Sequence, residues 1–175
     1  MTGQCAAVWA GVAVVLALAA ACERGGTLVG RPAPEFALSD LSGRAVRLAN
    51  FQGQVVFLNV WATWCEPCRQ EMPSMQELYE RLGGPGFEIL AVSADQGDGG
   101  DVREFVRSLG LTFPVLRDPE QQIASRYSVT GYPETFVIDR NGTVVEHAIG
   151  PHDWSSPVSL TAFRRLVETG EWRGL

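Results

Sequence analysis

The chain is short of metal ligands. Its 175 residues hold two histidines, His147 and His152, and four cysteines. A structural zinc site needs about four such ligands. Cys5 and Cys22 are N-terminal, far from the close pair Cys65 and Cys68, so the pair reads as a redox dithiol rather than half of a zinc site. No metal site is expected. Basic charge is also scarce. Fourteen basic residues face 20 acidic ones, a net charge of −6, which argues against a nucleic-acid partner. There is no internal repeat, and no low-complexity tract beyond an alanine-rich start. The Gly/Asp loop over 95–100 is acidic and no Lys-Ser/Thr follows it, so it is not a phosphate loop. The length suits one domain with a sizeable core.

Charge is missing altogether from Met1 to Cys22, where an apolar run over 6–21 leads to the cysteine. A core helix would show a polar face, and this run has none. It reads as an export signal or a membrane anchor. Leu18-Ala19-Ala20-Ala21-Cys22 resembles a bacterial lipobox, with Cys22 as the lipidated residue. An uncleaved span is the alternative, since the run approaches the ~17–25 residues a span needs, and a cleaved soluble signal is a third. The expected organisation is a signal, lipobox or anchor over 1–22, a tether over 23–31 and one domain over 32–175. The domain is expected outside the cytoplasm, tethered to a membrane.

What the sequence does contain centres on Trp61 to Pro73. An apolar run, Val55–Val60, leads into Trp64-Cys65-Glu66-Pro67-Cys68, and a helix-period segment follows. Two intervening residues set both sulfurs on one helical turn, so a disulfide can close without large strain. Cys65 falls near the helix N-cap, beside unpaired N–H groups and the positive end of the dipole. That setting favours the thiolate, the nucleophilic form. Cys68 lies one turn in and suits the resolving role. Pro67 is tolerated in a first helical turn.

The other elements follow in order. Phe36–Leu38 and Val46–Leu48 read as short strands, and Val55–Trp61 as a buried parallel strand. The helix after Cys65 runs to about Leu82, with Met72, Met75, Leu78, Tyr79 and Leu82 on one face and a kink at Pro73. Phe87–Ser93 completes a βαβ unit. Asp101–Leu109 is helical with Val102, Phe105, Val106 and Leu109 inward, and Phe113–Leu116 is a strand. Asp118-Pro119 reads as a cap and helix start, with Ile123, Ala124 and Tyr127 inward. A strand after Pro133, the Asn141-Gly142 turn and Thr143–Ile149 form a hairpin. Ser156-Pro157 opens a last helix.

This order of elements, together with Trp64–Cys68 and Gly131-Tyr132-Pro133-Glu134-Thr135-Phe136, resembles the thioredoxin fold. More narrowly, Gly30–Phe36, Glu66-Pro67 and Val137–Gly142 resemble the membrane-tethered thiol–disulfide oxidoreductases of the TlpA/ResA/CcmG (DsbE) group. The likeness covers roughly residues 30–155. It implies an α/β fold, thioredoxin-like, with a mixed central sheet flanked by helices and an N-terminal β-hairpin extension. It implies a disulfide reductase that needs no cofactor beyond the Cys65–Cys68 disulfide, with apocytochrome c as substrate and a membrane dithiol donor as electron source. A copper-site protein is another possible substrate, and general disulfide exchange another possible activity.

The resemblance also implies residue roles. Pro133 is expected to be cis and to face the dithiol, leaving the Tyr132 backbone to pair with an extended substrate. Glu71, three residues after Cys68 on the same helical face, is expected to carry the proton of Cys68. Trp64, Glu66, Pro67, Tyr132 and Pro133 are the candidate substrate contacts, and Trp61 and Trp64 are expected to pack around the dithiol. A Glu66 charge about 7 Å from the thiolate opposes it by roughly 0.6–2.4 kcal/mol at an effective dielectric of ~20–80. That is about 13–50 mV toward the reducing side. Glu134 reads as a substrate contact or a solvated acid, His147 and His152 as structural or surface residues, and Asp95 as a loop acid. Two other functions are open. A peroxiredoxin needs Pro-x-x-x-Thr-x-x-Cys, and the corresponding positions are Leu58 and Ala62. A Cu(I)-binding module would use the two soft thiolates alone.

Overall fold

Val55–Trp61 is buried at all seven positions, and the rest of the sheet is built outward from it. A computed structural model describes residues 27–175. The expected export segment, Cys22 and the start of the tether lie outside the described residues. Seven strands form one sheet in the order β2-β1-β5-β4-β3-β6-β7. The central strand, β3 (Val55–Trp61), pairs in parallel with β4 (Phe87–Ser93) and antiparallel with β6 (Glu134–Ile138). β5 (Val115–Arg117) extends the parallel half. β7 (Val144–Ile149) closes one edge antiparallel to β6. At the other edge β1 (Ala37–Asp40) lies antiparallel to β5, and β2 (Ala45–Arg47) antiparallel to β1.

Alternation along β3 divides the core in two. Val55, Phe57 and Trp61 face α1 (Glu66–Leu82), α2 (Gly100–Leu109) and α4 (Pro157–Thr169). Val56, Leu58 and Val60 face Phe36, Leu48, Tyr127 and Ile123 of α3 (Gln122–Arg126). Burying one such Phe or Leu stabilises the fold by ~1.5–3 kcal/mol. Asn59 interrupts this apolar strand and is fully buried. α1 buries Met72, Met75 and Leu78 and continues through Pro73 to Leu82. Among the described residues, no helix is long and apolar enough to cross a membrane.

Several local expectations are corrected. Leu109 is exposed rather than inward. Gly110, at φ 62°, turns the chain so that Leu111 N donates to Val106 O at 3.0 Å. This helix-ending turn buries Leu111 in place of Leu109. The helix expected at Asp118 starts at Gln122. Asp118 caps it from a distance, its carboxylate accepting from Gln122 N at 2.8 Å and Ile123 N at 2.7 Å. In the late hairpin, Gly142 at φ 78° follows a turn in which its N–H donates to Asp139 O at 3.0 Å. Gly30 and Arg31, placed in the tether by sequence, are hydrogen-bonded to Val144 of β7.

Candidate active site

The parallel strand β3 delivers the chain to the mouth of the sheet, and residues 62–65 turn it into α1. Asp95, beyond the end of β4, holds this turn. Its carboxylate accepts from Thr63 N at 2.9 Å and Thr63 Oγ1 at 2.6 Å, and from Ser93 Oγ at 2.8 Å. The residue read as a loop acid is therefore a buried clamp on the segment before the dithiol.

Cys65 is the N-cap of α1, and its Sγ accepts from Cys68 N at 3.2 Å. Cys65 and Cys68 are joined in a disulfide with Cα atoms 5.3 Å apart. Cys68 is fully buried, while Cys65 retains 6% exposure under an outer rim of exposed Trp64, Glu66 and Pro67. Trp64 is 69% exposed, so it packs only partly around the dithiol. Its ring meets the edge of Tyr132 at 5.7 Å, which brings the loop before β6 against the dithiol turn. The Tyr132–Pro133 bond is cis, and Pro133 is buried. Glu66 is exposed and lies 3.6 Å from Arg69, which screens its charge.

Glu71 is not a solvated helix glutamate. It is buried at 2% exposure on the face of the sheet that carries Trp61 and Cys68. Its Oε1 accepts from Asn59 Nδ2 at 2.8 Å, and its Oε2 from Trp154 Nε1 at 3.0 Å and His152 N at 3.3 Å. Burial raises its pKa, and the three donors offset this only in part. A groove of about 450 Å³, lined by Glu71, Ser74, Pro151 and His152 among others, runs from this carboxylate to the surface. Trp154 is buried against Phe57 at 4.7 Å. Nothing in the sequence marks Trp154 as a partner of Glu71, because the contact spans 83 positions.

Glu134 departs furthest from expectation. It is fully buried on the opposite face of the sheet and so is neither solvated nor open to substrate. Its Oε1 accepts from Thr130 N and Thr130 Oγ1, each at 2.8 Å, and from Gly131 N at 3.0 Å. Its Oε2 lies 2.7 Å from His147 Nε2, whose ring stacks on Phe136 at 4.2 Å. Burial raises the Glu134 pKa, but these hydrogen bonds outweigh it and leave a net lowering. Glu134 thus fixes the loop that presents Tyr132 and Pro133.

A dithiol at a helix start, one sulfur buried and the other beneath an open rim, can exchange with a disulfide of another molecule. With this sheet, the chain is a thioredoxin-fold thiol–disulfide oxidoreductase. Residues 29–147 match the model of the AhpC/TSA family, and the chain belongs to that family and, within it, to the TlpA/ResA/CcmG group. It is 46% identical over 122 residues to thiol-disulfide oxidoreductase ResA of Bacillus thuringiensis (strain Al Hakam), covering 70% of each chain. It is 37% identical over 145 residues to ResA of Bacillus subtilis (strain 168), covering 83% of this chain and 79% of that one. A Chlorobium tepidum crystal structure assigned as thiol:disulfide interchange protein DsbE superposes with a TM-score of 0.67 at 36% identity. That match covers 78% of this chain and 92% of the other. The residues at the proline and threonine positions of the peroxidase motif are Leu58 and Ala62.

Proposed function

We propose that the protein reduces substrate disulfides outside the cytoplasmic membrane. Apocytochrome c is the favoured substrate, because its haem-attachment cysteines must be reduced before ligation. The observation that carries the reading is the asymmetry of the pair, with Cys65 at the N-cap under an open rim and Cys68 fully buried. In the reduced enzyme the Cys65 thiolate attacks one sulfur of the substrate disulfide. A mixed disulfide forms, and the other substrate sulfur leaves as a thiolate and takes up a proton. Glu71, as carboxylate, takes the proton of Cys68. The Cys68 thiolate attacks Cys65 Sγ, closing the enzyme disulfide and expelling the second substrate sulfur as a thiolate, which takes up a proton from solvent while Glu71 gives its own back. Trp64, Glu66 and Pro67 form the rim, cis Pro133 backs the dithiol from the neighbouring loop, and the Tyr132 backbone pairs with an extended substrate segment.

A membrane dithiol donor then returns two electrons to the Cys65–Cys68 disulfide. The charge-free run over 1–21 and Cys22 support a lipid-anchored or membrane-anchored extracytoplasmic location. Mass spectrometry of the mature N-terminus tests the anchor, since a diacylglyceryl group on Cys22 is expected. The substrate is tested by reducing two oxidised peptides with the reduced protein, one carrying Cys-x-x-Cys-His and one with the same cysteines in scrambled context. Faster reduction of the first is expected, and equal rates would remove the preference for apocytochrome c. A copper-site protein whose ligand cysteines are oxidised to a disulfide is the alternative substrate, tested by adding its disulfide peptide to the same comparison.

A further inference from the structure

Asn59 stands in the middle of β3 with its amide fully buried. Its Nδ2 donates to Glu71 Oε1 at 2.8 Å and to Thr135 Oγ1 at 3.0 Å, while its Oδ1 has no hydrogen-bond partner. A buried carbonyl oxygen left unpaired carries a desolvation penalty and calls for an explanation. The surroundings of Glu71 supply one. Every group bonded to the carboxylate is a donor: Asn59 Nδ2, Trp154 Nε1 and His152 N. Such a shell suits the charged form and offers a protonated Glu71 no protein acceptor for its hydrogen.

We propose that Asn59 is a positioning residue for proton transfer, a two-position amide that follows the charge of Glu71. With Glu71 ionised, Nδ2 points at the carboxylate, as in this structure. When Glu71 takes a proton on Oε1, the amide turns by about half a revolution. Oδ1 then accepts from the acid and from the Thr135 hydroxyl, which can rotate to donate. The turn exchanges an unpartnered carbonyl oxygen for an unpartnered NH2 at the same site, so it is the bond kept to Glu71 that selects the position in each charge state. Glu71 can therefore hold or release a proton beneath Cys68 without losing its central hydrogen bond in either state.

The inference rests on Glu71 as the proton carrier, and its setting limits what else could respond to pH there. Cys68 lies one turn earlier on α1, with Cys65 beyond it. His152 and Asp153 approach from the loop after β7, and Glu77 lines the outer groove. α4 turns Leu160 and Phe163 inward. β3 and β6 bring no other ionisable side chain to this face, since Glu134 and His147 pair on the other.

The test is an NMR titration of the full-length labelled protein, kept in detergent, that follows Glu71 Cδ and the Asn59 side-chain amide together. One shared midpoint is expected, and in Glu71→Gln the Asn59 amide should stay in its low-pH position at every pH. An amide that does not follow Glu71 Cδ, or that still titrates in Glu71→Gln, overturns the inference. Asn59→Leu removes both arrangements. Hydrogen bonds to a charged group exceed neutral ones by about 1–1.5 kcal/mol, so the pH profile of substrate reduction should move up by about one unit. An unmoved profile also overturns it. If Glu71→Gln keeps the parental pH profile while the amide coupling holds, the proton-carrier role fails and the coupling stands. If the profile is lost but the amide never moves, the reverse is true.

Discussion

Replacing Glu134 should damage the protein far more than its place beside a surface loop suggests. The carboxylate is fully buried and serves four hydrogen-bonding groups: Thr130 N, Thr130 Oγ1, Gly131 N and the His147 ring. Glu134→Ala leaves two backbone N–H groups and a ring nitrogen facing a small cavity. Breaking a buried ionic or charge-assisted arrangement from one side costs about 3–5 kcal/mol. With a urea m-value of about 2 kcal/mol/M, the unfolding midpoint should fall by about 1.5–2.5 M. Glu134→Gln keeps an acceptor toward Thr130 and Gly131 and loses only the charge, so about 1–2 kcal/mol is expected. The same loop presents Tyr132 and Pro133, so the Ala variant should also raise KM for a disulfide substrate. The pH dependence has a definite sign. Because the folded-state pKa of Glu134 is lowered, its contribution is present above the ordinary carboxylate pKa and is lost as pH falls through the folded value. The gap between parent and Ala variant should therefore narrow in acid. A midpoint shift under about 0.3 M urea in Glu134→Ala, or a gap that widens in acid, would refute the reasoning.

Glu71 should behave oppositely, because burial raises its pKa. Its stabilising contribution is complete below the ordinary carboxylate pKa and is lost as pH rises through the raised folded value. Glu71→Gln should thus be more stable than the parent above neutral pH and equal to it in mild acid, as read by urea midpoints at the two pH values. Asp95→Ala removes the acceptor of Thr63 N and Thr63 Oγ1. It should lower stability by about 2–4 kcal/mol and slow reduction of a test disulfide, with Asp95→Asn between it and the parent. Glu66 is exposed beside Arg69, so Glu66→Gln should raise the dithiol potential by no more than about 15 mV, the low end of the Coulomb range. Redox equilibration with glutathione measures it.

The layout of the sheet and the dithiol was legible because both depend on short-range pattern. The βαβ unit is written in a seven-residue apolar strand, a helical face of Met72, Met75 and Leu78, and a second apolar strand. Cys65 and Cys68 announce themselves by spacing. Helix ends were less legible, because a capping group can act from several residues away, as Asp118 does for α3. The polar frame around the site was mostly hidden. Glu134 looks like any acid after a proline until β6 and β7 bring His147 beside it. Trp154 and Asn59 reach Glu71 across 83 and 12 positions respectively, and no local period records such contacts. One signal was available in advance. An asparagine inside an otherwise apolar strand must find partners in the core, and Asn59 is the polar residue of β3.

The central claim is that Cys65 attacks a substrate disulfide and Cys68 resolves the product, and trapping tests it most directly. Reduced Cys68→Ser protein is mixed with a disulfide peptide, quenched in acid and mapped by mass spectrometry after proteolysis. The account predicts a stable adduct joined through Cys65, abolished by Cys65→Ser and released by added dithiol. No adduct, or one that persists in Cys65→Ser, would contradict it.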